Sequence, residues 1–193
     1  IDRQKLDRVF KSTAAEAVRA GAIMHRLRNF GSHGDALLEV HGIEDIVSSS
    51  IALIRSVAET AAVTIRVDLA PDAGPVFADP IQIQQVLGNL CRNAVDSMRD
   101  SPNRILTISA FAVSALETQF KIMDTGPGIP EPLHEKIFDA FVTSKKMGTG
   151  VGLSICRTIV DAHGGKIWVD SSQPGGCLSF TLRRKKENAL GNS

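Results

Sequence analysis

The chain contains no tyrosine and a single tryptophan, and eight phenylalanines make up the rest of its aromatic complement. That excludes the stacking platform on which single-stranded nucleic acid is usually held. Cysteine is equally sparse: Cys91, Cys156 and Cys177 are odd in number, far apart and outside any C-x-x-C. The pattern rules out a disulfide framework and a thiolate metal site, and predicts reduced, buried thiols in a cytoplasmic protein. No charge of one sign dominates, since 22 basic and 21 acidic residues leave a net charge of +1. Neither nucleic acid nor an anionic membrane surface is therefore expected as main partner. No apolar run approaches the roughly 18 residues of a membrane span, and the polar N-terminus does not read as a signal peptide. Two nucleotide motifs are also missing. There is no G-x-x-x-x-G-K-[ST], and Leu153 stands where G-x-G-x-x-G needs its third glycine.

What is present begins with a seven-residue repeat. Leu6, Phe10, Thr13, Ala17, Ala20, Met24 and Leu27 are spaced 4-3-4-3-4-3. This is the seam of a helix that needs a partner helix, as in a coiled coil or bundle. Gly31, His33, Gly34 and Asp35 break the pattern, and a domain boundary is expected over 31–42. With 43% apolar residues, the remainder can bury a core of its own. A helix is predicted from Ile43 to about Ala61, with Ile46, Val47, Ile51, Ile54 and Val57 on its buried stripe. Val63–Leu69 alternates apolar and polar as a strand with one buried face, and a short extended piece runs through Phe77. Asp79-Pro80 carries two start signals for a helix to about Met98, with Ile83, Val86, Leu87, Leu90, Ala94 and Met98 inside. Strands Ile105–Phe111 and Gln119–Met123 follow as a hairpin, then a loop-rich stretch with a short helix ending in Phe138 and Phe141. A helix at 151–162 and strands Lys166–Asp170 and Cys177–Leu182 complete the unit. Strands and helices interleave without regular βαβ alternation, which predicts an α+β fold, a two-layer α/β sandwich preceded by the long N-terminal helix.

Three features carry chemistry. Asn89 and Asn93, four apart on one helix, project from the same face, and amide oxygens suit a hard cation. Asp124 ends an apolar strand just before Gly126 and Gly128. A carboxylate there can accept from an exocyclic amine while the glycines bring backbone close to a flat ring. Gly148, Gly150 and Gly152 lead into the last helix, whose first turn leaves N–H groups to seat phosphate. Each alone has an ordinary structural explanation: solvent-facing asparagines, an Asp-Thr-Gly turn, a Gly-rich helix start. Their order and spacing together remove those explanations.

The combination resembles the ATP-binding domain of sensor histidine kinases, within the gyrase/Hsp90/MutL-type ATPase superfamily. The matching segments are ADPIQIQQVLGNLCRNAVDSM, DTGPGI, IFDAFVTSK and GTGVGLSICRTIVDAHGG, and the resemblance spans roughly residues 40–183. The segment EAVRAGAIMHRLRNF is similar to the second helix of the dimerisation and phosphotransfer hairpin, in the style of PAS-linked oxygen-sensing nitrogen-fixation regulators. The resemblance divides the chain into a hairpin helix (1–34), an ATP-binding catalytic domain (35–185) and a polar tail (186–193).

It also implies site roles. Asn89 and Asn93 would hold Mg²⁺ and the phosphates, with Asn93 the main metal ligand, and Asp124 would read the adenine amino group. Gly126, Gly128 and Ile129 would shape the base pocket, and 129–150, including Thr143, would be a lid over ATP. Lys145 or Lys146 would reach the phosphates, and Gly148, Thr149, Gly150, Val151, Gly152 and Leu153 would offer backbone to them. Phe138 and Phe141 would anchor the lid, and Asp79 would serve the helix start. The expected partners are a phosphoacceptor hairpin, a response regulator and, in the intact protein, a second copy of the chain.

One family feature is missing. The phosphoacceptor, a His followed by Glu or Asp on the first hairpin helix, has no counterpart here. His25 precedes Arg26, His134-Glu135 falls inside the lid, and His33, His41 and His163 read as structural. The expectation is a kinase catalytic part whose acceptor lies outside this stretch or on a partner. The alternatives are a superfamily ATPase that hydrolyses ATP, a nucleotide-binding module without transfer, and a kinase acting on a protein serine.

Overall fold

The computed structural model describes residues 38–143, 150–172 and 174–184. The heptad helix, Lys145, Lys146, Gly148, Thr149 and the polar tail lie outside these residues. A five-stranded sheet is built from β2 (Thr64–Leu69), β4 (Ile105–Ser114), β5 (Glu117–Asp124), β6 (Ile167–Val169) and β7 (Gly176–Arg183), in the order β2-β4-β5-β7-β6. Helices α1 (Ile43–Thr60), α2 (Pro80–Ser97) and α3 (Gly152–Ala162) pack on one of its faces. This is the two-layer α+β sandwich expected from the sequence. All pairings are antiparallel except β2 with β4. A parallel pair needs a long crossover, and the stretch containing α2 supplies it.

Helix α2 starts where its sequence says it should. Asp79 Oδ1 accepts from the N–H groups of Ile81 (2.9 Å) and Gln82 (3.2 Å), and Pro80 occupies the first turn, where its missing N–H costs nothing. Ile83, Val86, Leu87, Leu90, Ala94 and Met98 are all buried. In β5 the period of two is strict: Thr118, Phe120, Ile122 and Asp124 are buried, and the residues between them are half-buried. Asp124 thus continues the core-facing row of Phe120 and Ile122. Across the next pairing Phe120 stacks on Phe180, with ring centroids 4.8 Å apart and planes 2° from parallel.

Several elements differ from expectation. The stretch read as a boundary contains β1 (Glu39–His41), which pairs antiparallel with β3 (Val76–Ala78) in a separate two-stranded sheet. On α1 the buried stripe runs through Ile43, Ile46, Val47, Ser50, Ile54 and Ala58, and Val57 falls outside it. β2 is an edge strand, so its inner row is only partly covered and Val67 stays 47% exposed. The expected short helix before Phe138 and Phe141 is two separate 3₁₀ turns, Glu131–Leu133 and Lys136–Phe138. Phe138 is buried beneath the Arg157 guanidinium, 5.7 Å from its ring centroid, but Phe141 is half exposed at φ +70°. Only the first of the two phenylalanines anchors this stretch through a buried side chain.

Candidate functional site

A cavity of about 510 Å³ opens between the C-terminal half of α2, the end of β5, the 128–143 stretch and the start of α3. Eight residues named from the sequence line it: Asn93, Asp124, Gly128, Ile129, Thr143, Gly150, Gly152 and Leu153. Three do not. Val151 is buried at the cap of α3, Gly126 stands behind Asp124, and Asn89 is half-buried one turn before Asn93 on α2, near the Cys156 thiol. That thiol is buried between α2 and α3, 3.8 Å from the Val86 carbonyl, and burial pushes its pKa up to about 12.

At the apolar end stands the Asp124 carboxylate, held by hydrogen bonds. Its Oδ1 accepts from the Gly126 N–H at 2.8 Å and lies 2.9 Å from Ser97 Oγ, whose proton is shared with the Ala94 carbonyl at 2.8 Å. Both flanks are glycine, and a side chain at either would push the carboxylate out of place. A methyl group at Gly126 would sit 2.6 Å from Asp124 Oδ1 and 2.8 Å from Ser97 Oγ, and one at Gly176 would collide with Oδ2. Gly176 stands directly opposite Asp124 in the β5–β7 register. Around this carboxylate the wall is apolar, with Leu90, Ala94, Ile122, Ile137 and Leu178, the lining a flat ring needs while the acid fixes its orientation.

At the other end, the Phe141 N–H donates to the Gly150 carbonyl at 2.9 Å, which brings the two ends of the intervening stretch together. Gly150 has φ +65°, and a methyl group there would come within 2.6 Å of the Phe141 carbonyl carbon. Only glycine meets both demands. Gly152 follows at the first turn of α3, with open space where a side chain would be.

Sequence reading missed Asp96, Ser97 and Gly176. Asp96 and Ser97 lie three and four residues beyond Asn93, so helical spacing could have added them. Gly176 reaches the site only through strand pairing, which leaves no local signal. His134, set aside as an acceptor, has Nε2 2.8 Å from the Ile129 carbonyl. His163 is buried at the end of α3. Its Nε2 accepts from the Asp79 N–H at 3.1 Å, so its Nδ1 carries the proton and donates to the Ile159 carbonyl at 2.7 Å.

Residues 78–188 match the model of the histidine kinase-, DNA gyrase B- and HSP90-like ATPases, and the chain belongs to that family. The catalytic domain of the histidine kinase ThkA superposes with a TM-score of 0.69 at 31% identity, covering 78% of this chain and 97% of that one. The described unit is accordingly an ATP-binding catalytic domain of the histidine kinase type. The sensor protein FixL of Bradyrhizobium diazoefficiens is 37% identical over 185 residues, which cover 95% of this chain and 37% of FixL. The C4-dicarboxylate transport sensor DctB of Rhizobium meliloti is 32% identical over 90% of this chain and 28% of its own length. The chain thus spans well under half of these curated relatives. A structure of ThkA in complex with the response regulator TrrA also matches, with a TM-score of 0.69 at 26% identity over 97% of this chain and 54% of that one. Among the described residues, no helix is long and apolar enough to cross a membrane.

Proposed function

We propose that this domain binds Mg-ATP in the cavity and transfers the γ-phosphoryl to a histidine of a dimerisation hairpin, from which a response-regulator aspartate takes it. The observation that carries the reading is Asp124: a carboxylate at the end of an apolar pocket, oriented by Ser97 and Gly126 to accept from an adenine amino group. The base would lie against Leu90, Ile122 and Leu178. The phosphates would extend toward Gly150 and Gly152, where the first turn of α3 has N–H groups without helical partners. Gly148, Thr149 and Lys145 or Lys146 would complete that end.

Phosphoryl transfer of this kind is mostly positioning and charge neutralisation. Mg²⁺ neutralises phosphate charge when bound, and the cavity suits it. Among the described residues no three His, Cys, Asp or Glu side chains converge as a protein cage. Mg²⁺ more often takes one or two protein oxygens and fills its shell with phosphate and water, and Asn93 supplies such an oxygen. A hydrolase needs a base to activate water. Relatives in the superfamily that hydrolyse ATP carry Glu at the position of Asn89. An amide takes no proton near neutral pH.

In the full protein the 1–34 segment would be the second helix of a dimeric hairpin, in the cytoplasm, with a tail at 186–193. The sensor proteins FixL and DctB and the ThkA–TrrA complex support this setting by likeness. Labelled Mg-ATP incubated with this chain and a separate helical hairpin carrying His-Glu tests the reading. Label is expected on the hairpin, with ATP preferred over GTP and the preference lost in Asp124→Asn. Binding of ATP with no label on any protein would overturn the transferase reading.

A further inference from the structure

We propose that β2 is a self-complementary edge through which two copies of this domain join their sheets, antiparallel and centred on Val67. Among the described residues β2 pairs on one side only, with β4. The Thr64 N–H donates to the Arg104 carbonyl and the Ala70 N–H to the Ala110 carbonyl, both toward β4. The register between them is unbroken, so with a period of two Arg66 and Asp68 also turn their backbone to β4. Ile65, Val67 and Leu69 turn theirs outward. Outward N–H and C=O groups along a strand are a template for a further strand.

The side chains select which strand. Arg66 and Asp68 are exposed on the face of the sheet away from the helices, whereas Val67 lies in the row that faces them and is 47% exposed. A two-fold axis at Val67, normal to the sheet, sets Val67 against Val67 and Ile65 against Leu69, and these pairs exchange both backbone bonds. The same axis sets Arg66 of each copy against Asp68 of the other, in the non-hydrogen-bonded pairs where side chains come closest. Centring on Arg66 instead would oppose two arginines, and centring on Asp68 two aspartates; like charges directly opposite destabilise. Charges of one sign keep edges apart. Here the signs are opposite and two residues apart, so the strand matches its own reverse. The axis leaves the helices of both copies on one face. Because α1 packs against β2, the two α1 helices flank the junction, each with Leu53 and Val57 exposed one turn apart. With Val67 these supply apolar surface for the contact to remove from water. No residue of α1 or β2 lines the cavity, which stays open in the pair.

The test is sedimentation equilibrium of the whole chain, together with amide hydrogen exchange followed as protein concentration rises. Association through the heptad segment would also raise the mass, so the exchange of individual amides locates the contact. The amides of Ile65, Val67 and Leu69 should exchange more slowly at high concentration, while those of Arg66 and Asp68, already turned to β4, change little. Arg66→Asp and Asp68→Arg should each weaken association about tenfold, as two attractive pairs become repulsive. An equimolar mixture of the two variants should associate again, because opposite charges face each other across the mixed pair. Exchange at Ile65, Val67 and Leu69 that stays constant up to about 1 mM, the weak end of specific association, would overturn the proposal. So would association that neither single variant weakens, which belongs to another surface. Single variants that weaken association but stay apart when mixed would overturn the charge-paired register.

Discussion

Two glycines on helices, Gly88 and Gly152, separate stability from ligand binding when each is replaced by alanine. An added Cβ meets nothing within 4 Å at either position. Gly88 lies in the middle of α2, and an interior Gly→Ala change there stabilises by about 1 kcal/mol, largely through the unfolded chain. For a domain of this size that corresponds to a rise in Tm of about 3 °C. Gly152 is in the first turn of α3 and lines the cavity, so its helical gain is smaller, but its methyl group would project where the phosphates are proposed to lie. Thermal unfolding and ATP titration on both variants check this. Gly88→Ala should melt higher and bind ATP as wild type does. Gly152→Ala should melt no lower than wild type and bind ATP about tenfold more weakly, roughly 1.4 kcal/mol. If Gly152→Ala binds ATP normally, the first turn of α3 does not hold the phosphates. If Gly88→Ala melts lower, the space beside Gly88 on α2 is not open to a methyl group.

The Lys121 ammonium, 2.7 Å from Asp170, and the Ser172 hydroxyl lower the Asp170 pKa to about 2 from its ordinary 3.8. Folding stability from this pair should be full above about pH 4 and disappear as pH falls toward 2; urea unfolding across that range should show the slope in wild type and a smaller one in Asp170→Asn. Burial raises the thiols of Cys91 and Cys156 to about 12 and that of Cys177 above its usual value. Iodoacetamide at pH 8 should therefore label none of the three in the native protein and all of them in guanidinium, as mass spectrometry would read. Replacing His163 by Phe orphans the Asp79 N–H and should cost about 1–3 kcal/mol in urea unfolding; an unchanged midpoint would mean that water takes the place of the ring.

Local rules made much of the fold readable. Asp79-Pro80 announces α2, and the alternation of Thr118, Phe120, Ile122 and Asp124 puts the acid on the core side of its strand. Tertiary pairing was not readable. Nothing in Glu39-Val-His41 marks a strand until β3 lies beside it, and Val67 alternates like a core residue because sequence does not reveal that β2 is an edge. The site divides the same way. Asn93, Asp124 and Gly152 were visible as motif residues, whereas Gly176 matters only because β7 brings it opposite Asp124.

The hydrogen bond from the Asp79 N–H to His163 joins the N-cap of one helix to the C-cap of another. The cavity lies at the opposite ends of both, where α2 carries Asn93, Asp96 and Ser97 and α3 carries Gly152 and Leu153. The pair has the geometry of tongs, with a fulcrum at His163 and jaws on the cavity. Over the 11 residues of α3 the arm is about 16 Å long. A 1 Å change in the gap between the jaws therefore needs a swing of only about 4°, small enough for the side chains near the fulcrum to keep their packing.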